Sequence, residues 1–138
     1  MALLDILHFP NPLLRKKCNK ITEVNKDLYR LADDMCETLD YHKGLGLAGN
    51  QVGYLKRIVV IKLPEENEFR VLINPEITET FGSREVEEGC LSVPDIRAEI
   101  VRPETIKIEF QDLNQNFHTA TFSGLQSRVI QHELDHLS

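Results

Sequence analysis

Apolar residues recur through Asn25–His42 at Leu28, Leu31, Ala32, Met35, Cys36 and Leu39, the i, i+3, i+4, i+7 stripe of an amphipathic helix. Asn25 stands where a side chain would cap the helix start, and Gly44 where a C′ glycine would end it. Cys36 lies on the stripe and reads as a small core residue. The period then changes. Arg57–Lys62 reads as a buried strand, and Arg70–Asn74 as another, stopped by Pro75. Thr105–Gln111 alternates apolar and polar, Asp112–Asn116 turns the chain, and Phe117–Phe122 returns it as a hairpin with His118 on its exposed face. A second helix is expected from about Gly124 onward, with Ser123 and Gln126 spaced as a capping box. Leu125, Val129, His132 and His136 share one of its faces while Ile130, Leu134 and Leu137 line the next, so it should be buried over much of its circumference. Before the first helix, Phe9-Pro10-Asn11-Pro12 predicts an irregular arm, and Arg15, Lys16, Lys17 and Lys20 a solvated basic turn around Cys18.

Composition narrows the classes. The 138 residues contain no repeat, linker or low-complexity tract, which predicts one domain over 1–138. With 22 acidic against 16 basic residues the net charge is −6, the wrong sign for a nucleic-acid partner. No apolar run approaches the ~18 residues of a membrane span, and the first residues lack the basic n-region of a signal peptide. Three irregularly spaced cysteines make no disulfide framework and point to a reducing cytoplasm.

The second helix carries the chemistry. His132-Glu133-Leu134-Asp135-His136 is an H-E-x-x-H motif: two imidazoles at i and i+4 can bind one metal ion, and Glu133 sits where it can hold and deprotonate a bound water. Two rings on an apolar wall would be costly unless something engaged them. Only Leu137 and Ser138 follow, so a third ligand is expected upstream, from Cys90, His118, His42, His8 or a carboxylate. Cys90 stands beside Gly89, where a backbone can approach closely, and a Cys-His-His set would leave one tetrahedral position open, as in catalytic sites. His136 falls in the last helical turn, whose carbonyls lack helical partners, so metal binding is expected to pin a fraying end.

Gly44-Leu-Gly-Leu-Ala-Gly-Asn-Gln51 lacks the Gly-Lys-Ser/Thr ending of a phosphate loop and follows a helix, not a strand. Its small residues would let an extended peptide pair with the backbone, and Gln51 could direct its amide at a developing oxyanion.

This segment, Glu88-Gly-Cys-Leu-Ser92 and Gln131-His-Glu-Leu-Asp-His-Leu137 resemble, in order and spacing, the three motifs of peptide deformylases. Pro12-Leu-Leu-Arg15, Val52-Gly53 and Ile73-Asn74-Pro75 agree, so the resemblance runs the length of the chain. With the element pattern it implies an α+β fold: antiparallel β-sheets packed around a central C-terminal helix carrying the motif, with an N-terminal helix. It implies removal of the formyl group from N-formylmethionyl nascent peptides, with Cys90, His132 and His136 as metal ligands. Glu133 would be the proton carrier, and Gln51 and the Leu91 N–H the oxyanion donors. Leu45, Gly46, Glu88, Gly89, Leu125 and Val129 are then expected to bind substrate. The resemblance implies one divalent ion, Fe2+ natively, with Zn2+, Ni2+ or Co2+ able to substitute. It also leads to the expectation of a monomer without membrane contact and without the C-terminal ribosome-binding helix of longer members.

Three departures stand out. Gly49 replaces a usual alanine, a small-for-small change expected to matter little; Arg128 and Val129 occupy usually apolar positions at the pocket rim; and the chain stops soon after the motif. The competing classes are a zinc endopeptidase, disfavoured by the missing downstream ligand, and a non-catalytic metal-binding relative, which would be expected to have lost Glu133, Gln51 or a ligand.

Overall fold

The computed structural model describes residues 3–8, 10–63, 68–90 and 93–137, and their side chains outside residues 86–100. Helix α1 (Lys26–His42) is followed by strands β1 (Gly46–Ala48), β2 (Ile58–Ile61), β3 (Arg70–Phe81), β4 (Arg84–Cys90), β5 (Val93–Arg102), β6 (Thr105–Gln111) and β7 (Phe117–Ser123), then helix α2 (Gly124–Leu137). Five strands form one antiparallel sheet in the order β1-β2-β3-β6-β7, and β4-β5 form a separate hairpin. This is the α+β architecture expected from the sequence.

The continuous apolar run of β2 has a direct cause, because both faces of this part of the sheet are covered. Ile58 and Val60 pack with Leu47, Ile73 and the α1 stripe Leu28, Leu31, Ala32, Met35 and Leu39. Val59 and Ile61 point the other way, with Ala48 and Leu72, onto Val129, Ile130, Leu134 and Leu137 of α2. Burying each such side chain contributes roughly 1.5–3 kcal/mol. Period-two alternation therefore decides which helix each strand residue meets, and it turns Gly46, two residues before Ala48, toward α2.

Several local expectations are corrected. Asn25 does cap α1, its Oδ1 accepting the Leu28 N–H at 3.0 Å. The left-handed residue that ends the helix is Lys43 (φ 56°), however, one position before the expected Gly44, whose N–H reaches the Leu39 carbonyl at 3.2 Å. Pro75 does not stop β3, which continues to Phe81 past a register shift between Ile73 and Glu76. At that irregularity a ladder N–H is dispensable. Asn74 makes the bend at φ 52°, and its side chain both accepts from the Ile21 N–H and donates to the Ile21 carbonyl, at 2.7 Å each. In the arm, Pro12 opens a single 3-10 turn, Pro12–Arg15, capped by Asn11; proline fits there because a first helical residue needs no N–H. The basic residues beyond it are exposed as expected, but Cys18 among them is 2% exposed and belongs to the α2 side of the core.

Candidate metal centre

Helix α2 is held along its length by residues distant in sequence. At its start the Gly124 N–H donates to the Glu104 carbonyl at 3.2 Å, and Gln131 Nε2 donates to the Pro103 carbonyl at 3.0 Å. Arg102, nearly buried, places Nη1 2.6 Å from Asp135 Oδ2. At its end the Cys18 N–H donates to the Leu137 carbonyl at 3.0 Å, and Asn50 Nδ2 donates to the His136 carbonyl. The expected fraying of the last turn is thus corrected: Leu137 is fully buried, and two orphan carbonyls have partners.

On this fixed helix, His132, Glu133 and His136 bring ligand atoms within 4.8 Å of one another, the group among the described residues able to hold a metal ion. The two rings stand edge to face with centroids 5.1 Å apart. Burial, reinforced by His132, pushes the His136 imidazole down to about 4, so at neutral pH it is uncharged, the form in which imidazole is a ligand. Glu133 is 4% exposed.

Gly46 supplies the opposite wall. A Cβ there would stand 2.6 Å from Glu133 Oε2 and 2.8 Å from its Cγ, so only glycine lets β1 lie this close to the carboxylate. The next turn, Gly49–Val52, is a short 3-10 helix that buries both Asn50 and Gln51. Gln51 Oε1 accepts the Ala48 N–H at 2.8 Å, which determines the carbonyl end of the amide and leaves Nε2 as the donor end. The Gln51 carbonyl in turn accepts the Leu7 N–H at 2.7 Å. Gly49 matters more than expected. A Cβ there would meet the Lys56 carbonyl at 2.6 Å and the Tyr54 carbonyl at 2.9 Å, backbone atoms that cannot swing aside.

Of the expected pocket residues, Val129 is buried, Leu45 half-buried against the α2 side of the core, and Leu125 40% exposed at the start of the helix. Glu88, Gly89 and Cys90 lie on β4, where the backbone pairs with Ala98, Arg97 and Val93 and its register shifts between Gly89 and Cys90. The side chains of Glu88 and Cys90, and the whole of Leu91, fall outside the described residues. Of the other upstream candidates, His118 is on β7 with Nε2 2.7 Å from Asp112 Oδ2, while His8 and His42 are exposed. Asn50, Cys18 and the Arg102–Asp135 pair escape a reading of motifs, because each acts through a backbone or side-chain partner at least 33 residues away.

The family model of polypeptide deformylases matches residues 3–138. The chain is similar to the peptide deformylase of Thermotoga maritima, with 37% identity and a TM-score of 0.94 over 98% of this chain and 91% of that one. A probable peptide deformylase of Synechococcus phage S-SSM7 matches at 38% identity and TM-score 0.92, over 97% and 93% of the two chains. The Synechococcus elongatus peptide deformylase, solved in complex with actinonin, matches at 35% and 0.94, over 97% and 75%.

Proposed function

We propose that this chain, which belongs to the polypeptide deformylase family, removes the formyl group from N-formylmethionyl peptides and releases formate. Family membership makes it a peptide deformylase, a hydrolase acting in protein biosynthesis. The observation that carries the finer reading is the convergence of His132, Glu133 and His136 within 4.8 Å, with Gly46 packed against the carboxylate.

His132 and His136, with Cys90 as third donor, would hold one divalent ion. Neutral imidazoles and a thiolate suit Fe2+, Zn2+, Ni2+ or Co2+, and the family resemblance favours ferrous iron. When bound, such an ion lowers the pKa of a coordinated water and polarises the formyl carbonyl. Glu133 moves the proton: its carboxylate takes one from the attacking water and delivers it to the departing amine. Gln51 Nε2 and the Leu91 backbone N–H donate to the oxyanion, and one such donor is typically worth about 3–4 kcal/mol. Anchoring Oε1 to Ala48 means that the Gln51 amide need not reorganise as charge develops.

Leu45, Leu125, Val129 and the aliphatic part of Glu88 bind the methionine side chain. Gly46, on the edge strand of the five-stranded sheet, and Gly89 offer backbone to an extended peptide. Main-chain pairing is indifferent to downstream sequence, as an enzyme acting on many nascent chains requires. The actinonin complex of the S. elongatus relative fits a peptide substrate of this kind. All these residues come from one chain, so residues 1–138 act as one catalytic unit and a monomer suffices, working in the cytoplasm. Among the described residues no helix is long and apolar enough to cross a membrane.

Formate release from a formyl-Met peptide, measured beside metal content, tests the reading. Turnover with about one ion per chain, and none on the unformylated peptide, is expected. Internal cleavage of the unformylated peptide would replace the reading with an endopeptidase. Cys90→Ala should lose metal as well as rate, and wild-type metal content in that variant would remove Cys90 from the ligand set.

A further inference from the structure

Asn50 is fully buried on the turn between β1 and β2, and its environment is specified from three sides. Its side-chain Nδ2 donates to the backbone carbonyl of His136; a carbonyl can only accept, so the amide orientation is unambiguous. Its backbone N–H donates to the Cys18 thiol, and the Cys18 N–H donates to the Leu137 carbonyl at 3.0 Å. Asn19, next along, is laddered to the other side of the same turn, its N–H donating to the Leu55 carbonyl at 2.8 Å and its carbonyl accepting the Arg57 N–H at 2.9 Å. The last turn of α2 is therefore clamped to the glycine-rich turn by one side chain and one short strap.

We propose that Asn50 is a positioning residue for His136, acting on the metal ligand through its carbonyl and coupling it to Gln51, the adjacent residue. This rests on the ligand assignment made above. A carbonyl at a helix C-terminus is otherwise free to tilt, and tilting it rotates the residue that bears it. With Nδ2 on that carbonyl, the backbone of residue 136 is held against a turn that the Ala48–Gln51 bond already makes rigid. The same four residues, Ala48 to Gln51, thus set both the direction of an oxyanion donor and the seat of a metal ligand. Partners that orient a ligand from outside the coordination sphere typically change metal affinity about 10–100-fold when lost.

The decisive variant is Asn50→Asp, which keeps the shape but turns a donor into an acceptor facing the carbonyl. Chelator competition on the metal-loaded protein should show affinity about tenfold weaker or more, with altered visible bands in the cobalt-substituted form. Cys18→Ala is the control, because it disturbs the same corner while keeping the N–H that reaches Leu137; its affinity should stay within about twofold of wild type. The proposal is overturned if Asn50→Asp binds metal like wild type, or if Cys18→Ala weakens it equally, since either result reduces the clamp to packing. Should Asn50→Asp not fold, Asn50→Ala removes the donor without adding charge; failure of both to fold would assign Asn50 to the fold and overturn the proposal as well. Affinity is read without turnover, so an inactive but metal-tight wild type would count against the deformylase mechanism and leave this inference standing.

Discussion

At the end of α2 two imidazoles and a carboxylate gather on a buried wall, whereas at the end of the β6–β7 hairpin one imidazole and one carboxylate meet in water. The hairpin pair looks the better formed. His118 Nε2 lies 2.7 Å from Asp112 Oδ2, Phe110 stacks on the ring at a centroid distance of 5.2 Å, and Asp112 Oδ1 accepts the Asn114 and Asn116 N–H groups at 2.8 and 3.0 Å. Those bonds, His118 first, hold the Asp112 carboxyl below its ordinary range. Three of the carboxylate's four acceptor directions are thereby spent, two on closing the turn and one on the ring. In α2 the order of effects is reversed: burial comes first and leaves His136 uncharged, the form in which imidazole is a ligand. Identical residue types close a turn in one place and offer metal ligands in the other, and desolvation is what separates the two.

The largest test of that contrast exchanges carboxylate for amide in both places. Glu133→Gln should cut kcat by about 100–10,000-fold, the usual worth of a positioned proton carrier, while metal content stays at the wild-type level. Asp112→Asn should leave kcat/KM within about twofold. Comparable losses in the two variants would mean that burial does not mark the working site. Next in size is Gly46→Ala. Its Cβ would fall 2.6 Å from Glu133 Oε2, and the flexible end of that side chain would move before the strand does. A shift of about 1 Å in a catalytic group can cost on the order of 100-fold in rate. Steady-state kinetics beside a thermal melt should show most of that loss in kcat and little change in Tm. A large fall in Tm with kcat preserved would instead place Gly46 in the fold.

How much of this was legible in the sequence divides along the same line. Elements and covered faces follow from local periodicity: α1, β2, β6 and β7 lie within a residue or so of where the pattern puts them, and the H-E-x-x-H spacing itself brings three ligand atoms together. What periodicity does not carry is pairing over long separations. Asn50 meeting His136, Arg102 meeting Asp135 and Cys18 meeting Leu137 depend on how the sheet stacks the chain. The same blindness explains Gly49, which reads as one more small residue until the Lys56 carbonyl is found where its side chain would be. It explains Pro75 too, because a bulge tolerates a proline that a regular ladder would reject, and nothing local marks the bulge.

The smallest expected effect is in stability against pH, and it separates the two sites by where each loses it. In protein kept free of metal by chelator, His136 has a folded value of about 4 against an ordinary 6.5. Between those values the unfolded chain binds a proton that the folded one refuses, so the unfolded state gains as pH falls. The stability tied to the neutral ring is therefore fully present above pH 6.5 and lost on descending toward 4. Asp112 is also depressed, but from 3.8, so its share survives that descent and goes only in stronger acid. Urea midpoints of the chelated protein should accordingly fall between pH 7 and pH 5. His136→Gln should flatten that fall, whereas Asp112→Asn should leave it in place. With metal restored the imidazole lone pair is engaged, a proton must compete with the ion, and the same fall should begin at lower pH. A midpoint indifferent to pH in the chelated wild type would mean that the His136 ring is hydrated when no metal holds it, and the contrast between the two sites would then rest on the metal alone.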